Sequence, residues 1–231
     1  MNSNEALNMV ENCILSSLKE LADALTCHIP FGIAVNKING KETYYLKYIP
    51  ERCLTTYFAK VLIDKKFVFF NVQSYEAKNG KIAKLDLLAR KFSPEKRDSI
   101  QLKIEAKGNL DSGYQEIVND IRRMKDQKLD LKIGVGFPLN ENMVEESFNH
   151  KFNIVITTDW GLSELSDWWT EGVDNQDAPF IKGSHITKRK KDSWEPLKNE
   201  LILAAKRGKH DMVKNDIGNY SIHALYAIFS D

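Results

Sequence analysis

At 231 residues and 26.5 kDa, the chain has the length of one large domain, or of one domain with an added lobe. Hydrophobic residues at 42% and charged residues at 28% exclude a disordered protein, a collagen-like fibre and a coiled-coil rod. The net charge of +1 hides an asymmetry: residues 139–181 hold nine acidic residues against one basic, and residues 182–209 hold nine basic against three acidic.

Residues 5–25 place Leu7, Val10, Ile14, Leu15, Leu18, Leu21 and Leu25 at helical spacing, which predicts an amphipathic helix ended by His28 and Pro30. Short strands are predicted over 32–35 and 44–48, on either side of the turn signal Asn39-Gly40. Pro50 stands just ahead of a second helix over 51–64, whose stripe is Leu54, Tyr57, Phe58, Val61 and Leu62. Three strand-like stretches follow, over 67–74, 81–92 and 100–106. The last alternates Ile100, Leu102 and Ile104 with Lys103 and Glu105. Short connections favour an antiparallel meander. After Gly108-Asn109, either Asp111 or Ser112 is placed to cap a helix with Tyr114, Ile117, Val118, Ile121 and Met124 on one stripe. Two further strands are expected over 131–137 and 152–157, and helices over 162–170 and 193–206. The final apolar piece, 220–229, fits helix or strand.

This order predicts an α/β protein, a mixed sheet with helices on both faces. It divides into an N-terminal helix with short strands (1–50), a core (51–160) and a C-terminal helical extension (161–231) that carries the basic segment 182–209.

The chemistry-bearing residues fall at the ends of the predicted strands. Glu105 and Lys107 flank Ala106, and residues i and i+2 of a strand emerge on one face. Asp86 lies among Leu85, Leu87 and Leu88 in the stretch before. If the two strands are neighbours, Asp86, Glu105 and the Ala106 carbonyl form a hard-oxygen set suited to magnesium, with Lys107 beside it. Plainer readings stand next to these. Glu105 and Lys107 would make an exposed ion pair on an edge strand, with Lys103 completing the row. Asp86 would face solvent as Lys84 does, and Glu51 would serve the dipole of its helix.

Asp86 followed nineteen positions later by Glu105-Ala106-Lys107, on a strand–turn–strand background, resembles the PD-(D/E)xK nuclease superfamily. The residue before Asp86 is Leu85, not the proline of the family name. The resemblance covers residues 51–137 and implies a restriction-endonuclease-like core of helix, three-stranded meander, helix and strand. It further implies a metal-dependent endonuclease of a restriction, defence or mobile-element type that hydrolyses phosphodiester bonds in DNA. On that reading Asp86, Glu105 and Lys107 are catalytic. Glu51, Asp86, Glu105 and the Ala106 carbonyl hold Mg2+, or Mn2+ in its place, and two copies pair as a homodimer. The alternative is a member of the same fold that binds nucleic acid or protein without catalysis.

Lys188, Arg189, Lys190 and Lys191 form the densest positive cluster and are the expected phosphate contacts; the plainer reading is a solvated loop balancing its acidic neighbour. The five histidines follow no zinc spacing, and neither a phosphate-binding GxxxxGK[ST] loop nor a GxSxG elbow occurs. The four tryptophans read as core or interface. No run of about 18 apolar residues predicts a membrane span. The unpaired Cys13, Cys27 and Cys53, with no leader-like N-terminus, point to a reduced, cytoplasmic protein.

Overall fold

The computed structural model describes residues 1–27, 33–38, 41–46, 49–70, 75–76, 82–83, 85–93, 98–126, 148–161, 163–175, 194–215 and 220–230. The chain opens with α1 (Ser3–Cys27). This helix begins two residues before the apolar stripe predicts, because Asn2 and Glu5 cap it reciprocally. The Asn2 side chain accepts the Glu5 N–H at 2.9 Å, and Glu5 accepts the Asn2 N–H at 2.8 Å. The hairpin β1 (Ile33–Ile38) and β2 (Lys41–Leu46) follows. Next comes α2 (Glu51–Asp64), with Leu54, Phe58, Val61 and Leu62 buried. It stops where Lys66 takes a φ of 65°, so that the Phe67 N–H returns to the Leu62 carbonyl at 3.0 Å.

The main sheet has six strands in the order β3 (Val68–Phe70), β6 (Leu87–Lys91), β7 (Ile100–Lys107), β8 (His150–Gly161), β10 (Tyr220–Ser230) and β9 (Lys206–Asn215). Neighbours are antiparallel except β7 and β8, which run parallel. The short pair β4 (Tyr75–Glu76) and β5 (Ile82–Ala83) stands apart from it. Helix α3 (Leu110–Asp126) lies between β7 and β8 in the chain. After β8 come α4 (Ser163–Asp167), a π-helical turn (Trp168–Gly172) and α5 (Glu195–Ile202). The protein is therefore a mixed α/β fold.

Two cores result. On one sheet face α1 and α2 pack on Ile100, Leu102, Ile104 and Ala106 of β7, together with Phe152, Ile154 and Ile156 of β8. On the other, α3, α4 and α5 cover Val155, Leu225, Ala227 and Phe229. Trp168, Trp169 and Trp194 belong to this second core. Trp169 donates to the Tyr226 carbonyl at 2.9 Å, and Trp194 stacks on Tyr114.

Several local expectations change. The stretch 81–92 is not one strand but β5 and β6, with Asp86 in the bend that precedes β6. Helix α3 starts at Leu110, so Asp111 and Ser112 lie inside its first turn instead of ahead of it. The predicted strand over 131–137 lies outside the described residues. After residue 161 the expected helices appear as α4 with the π-helical turn and as α5. The segment also supplies two strands of the sheet, the unexpected β9 and β10, which takes the strand alternative for the final piece. Strand β9 (KRGKHDMVKN) is an edge strand with little apolar alternation to announce it.

Gly208 of β9 sits opposite Tyr226 of β10. A Cβ there would lie 2.2 Å from the phenol ring, and Tyr226 is buried with its hydroxyl donating to Glu11 at 3.0 Å. The ring moves aside only by giving up that bond. Gly208→Ala should therefore lower stability by about 1–3 kcal/mol, read as an earlier urea midpoint. An unchanged midpoint would show that the ring yields without cost.

Candidate active site

The polar face of β7 forms the site. Its side chains alternate, so Gln101, Lys103, Glu105 and Lys107 point away from the α1–α2 core and toward α3. An exposed edge-strand pair is ruled out. Strand β7 is an interior strand, Glu105 is 2% exposed and Lys103 4%.

Strand pairing brings Asp86 to this strand end. The last paired residues of β6 and β7 are Leu87 and Ile104. Beyond them the ladder has no partner for the Ala106 N–H, and Asp86, itself exposed at the bend, accepts it through Oδ2 at 2.7 Å. N–H and C=O of one strand residue address the same neighbour, so the Ala106 carbonyl faces this side too. Glu51, the first residue of α2, accepts the Gly108 N–H through Oε1 at 3.2 Å. Gly108 leaves little room: a Cβ would come within 3.1 Å of the Ile49 carbonyl oxygen. Its own carbonyl receives the Thr158 hydroxyl.

Two residues of α3 complete the cluster. Arg123 Nη2 donates to Glu105 Oε1 at 2.8 Å and also to Asp120 Oδ1. Lys107 Nζ lies 3.3 Å from Asp120 Oδ2 and 3.6 Å from Glu116 Oε2. Beside Lys107 in the parallel register stands Thr157, fully buried, with its hydroxyl unpartnered among the described residues. Asp120 and Arg123 were not singled out from the sequence. One signal was present: Asp120 falls among Ile117, Ile121 and Met124 on the core-facing stripe of its helix, where an acid is costly unless paired.

The electrostatics follow from burial and crowding. Glu105 is pushed up to about 8, first by burial and then by the charges of Asp120 and Asp86, which Arg123 opposes without cancelling. Burial also raises Asp120, against the pull of Lys107 and Arg123. For Lys107, burial acts downward, but Asp120, Glu51 and Glu105 outweigh it and hold the ammonium above the usual lysine range.

Among the described residues no three Asp, Glu, His or Cys side chains are arranged to hold a metal ion. What the cluster offers is a pair, Asp86 and Glu105, close enough to feel each other's charge. Two carboxylates with a backbone carbonyl are a donor set chemically suited to a hard divalent cation that keeps its remaining waters. The cluster Lys188 to Lys191 lies outside the described residues. Three basic residues of the same tract are paired locally: Arg207 with Asp174 at 2.6 Å, Lys209 with Asp167, and Lys206 with Glu11. No helix among the described residues is long and apolar enough to cross a membrane.

No family model, no curated protein and no solved structure matches this chain.

The raised Glu105 has a measurable consequence. Glutamates of the unfolded chain titrate near pH ~4.3, so between about 4.3 and about 8 the folded protein holds a proton that the unfolded chain has lost. This contribution to stability is present at low pH and falls away as pH rises through that window. With chelator present, Glu105→Gln should match the wild type near pH 5 and become progressively more stable than it toward pH 9, by urea unfolding. A constant difference across the window would mean that Glu105 is ionised throughout.

Proposed function

We propose that this chain is a metal-dependent nuclease that hydrolyses phosphodiester bonds in DNA, built on a restriction-endonuclease-like core running from α2 to β8. The order helix, meander, helix, strand agrees with α2, β3–β6–β7, α3 and β8, with the last two strands parallel. The observation that carries the reading is the 2.7 Å bond from the Ala106 N–H to Asp86. It brings the first carboxylate of the motif to the middle of Glu105-Ala106-Lys107.

On this reading Asp86, Glu105 and the Ala106 carbonyl hold a magnesium or manganese ion. Such an ion, when bound, supplies Lewis acidity and a water acidified for attack. Lys107 would orient the attacking water and offset the charge that develops on the phosphate. The unpartnered Thr157 hydroxyl is a further hydrogen-bonding group for a substrate oxygen. Glu51 contributes by fixing Gly108, and hence the direction in which Lys107 leaves the strand. Lys188, Arg189, Lys190 and Lys191 contact phosphates without reading bases. Cutting both strands of a duplex needs two sites, which a homodimer supplies.

The test is plasmid cleavage in magnesium or manganese. Lys107→Ala should slow cleavage by about 10²–10⁴-fold while DNA affinity stays within a few-fold of wild type, because the lysine acts mainly in the transition state. Full-rate cleavage by that variant would remove Lys107 from the mechanism. No cleavage by the wild type in either metal would leave a binding protein of the same fold. Neutralising Lys188 to Lys191 should reduce the slope of log K against log salt by about 3 to 4; an unchanged slope would make the cluster a solvated loop.

A further inference from the structure

Glu105 and Lys107 are tied to each other through α3. One atom, Nη2 of Arg123, bridges the carboxylates of Glu105 and Asp120, and the other oxygen of Asp120 faces Lys107. The result is a run of alternating acidic and basic groups, Glu105–Arg123–Asp120–Lys107, with Glu105 at 2% and Asp120 at 4% exposure. Arg123 and Asp120 are one helical turn apart, so the helix itself sets their spacing. A guanidinium thus meets the carboxyl group of the residue that follows Ile104, whose strand partner Leu87 follows Asp86.

We propose that Arg123 is an internal counter-ion that competes with a divalent cation for Glu105, and that Asp120 keeps Arg123 paired when Glu105 turns to the cation. This rests on the reading of Asp86 and Glu105 as cation ligands. Three features support it. Arginine keeps its charge at any ordinary pH, so the competition does not lapse. The same nitrogen already serves both acids, so releasing Glu105 strands no buried charge. Glu105, 2% exposed, is met by the guanidinium at Oε1, at 2.8 Å. Arg123 and Asp120 are positioning residues, acting through Glu105.

The test is calorimetric titration of the full chain with manganese chloride, without DNA. Arg123→Gln should bind manganese about tenfold tighter than wild type. Asp120→Asn, which removes the acid that shares Arg123 with Glu105, should bind several-fold more weakly. Arg122→Gln removes the same charge one position away, where the guanidinium meets Glu200 at 2.7 Å, and should change nothing. A purely structural role would weaken binding in both site variants, so the opposite signs are diagnostic. Arg123→Gln binding no tighter than wild type overturns the proposal. If that variant fails to fold by circular dichroism, Asp120→Asn decides, and affinity equal to or above wild type overturns it. Wild-type binding that Asp86→Asn abolishes, with Arg123→Gln unmoved, sinks the competition alone. No manganese binding by the wild type overturns the cation-site reading and this inference with it.

Discussion

A strand covered on both faces must be apolar throughout or carry polar groups whose partners are also inside, and β7 takes the second course. Its α1–α2 face is Ile100, Leu102, Ile104 and Ala106. Its α3 face is Gln101, Lys103, Glu105 and Lys107, and each contact there is specific. Gln101 accepts from buried Arg90 at 2.8 Å, and Lys103 donates to the Met124 carbonyl at 3.3 Å. The second bond sets a cation at the C-terminal end of α3, where the helix dipole favours it. Glu105 engages Arg123, one residue before Met124, and Lys107 engages Asp120, about one turn before it. Helix α3 is thereby clamped to the sheet by charges as well as by Ile117, Val118 and Ile121.

Unequal strand lengths then explain why acids gather at one end. Strand β7 outruns β6, so the Ala106 N–H has no ladder partner, and Gly108 leaves the sheet with another N–H to satisfy. Buried or half-buried backbone donors need acceptors, and here Asp86 and Glu51 supply them. Of these two carboxylates, Asp86 adds its charge to that at Glu105, while Glu51 acts on Lys107. A structural need, the completion of a strand end, has assembled the negative charge that makes this the chemically unusual corner of the molecule. The orphan Thr157 hydroxyl on the adjoining strand adds a polar group still lacking a described partner.

Much of this was legible in periodicity alone. The stripe of α2 returns its bounds because Pro50 and the run Leu54, Phe58, Val61, Leu62 leave no other register. The alternation of β7 placed Glu105 and Lys107 on one face. What periodicity could not supply was the context of that face. Alternating Ile and Lys reads as half-exposed, and only the docking of α3 makes Lys103 and Glu105 interior. The pair Asp120 and Arg123 lies at i, i+3 on α3, but its role depends on which strand the helix meets. Strand β9 was missed for the opposite reason. Its identity lies in its partner β10, since half of its residues are basic and residues 206–210 are half-buried. The last segment, ambiguous between helix and strand, is a strand buried on both faces, and such a run carries no period at all.

The charge asymmetry between the acidic and basic tracts resolves in part as local neutralisation. Arg207 takes Asp174 with both terminal nitrogens, at 2.6 and 3.3 Å, and Lys209 takes Asp167. Both carboxylates are exposed, Asp174 at 49% and Asp167 at 55%, and pairs open to water on one side contribute about 1 kcal/mol or less each, so they are not what holds β9 to the sheet. The ladder to β10 and the close approach of Tyr226 to Gly208 do that. The pairs instead cancel field: a cation a few ångströms from its acid contributes little potential beyond a Debye length of about 8–10 Å. Whatever attraction the basic tract has for a polyanion therefore arises from charges upstream of β9, since the basic residues at 206, 207 and 209 already face carboxylates of α1, α4 and the turn that follows it.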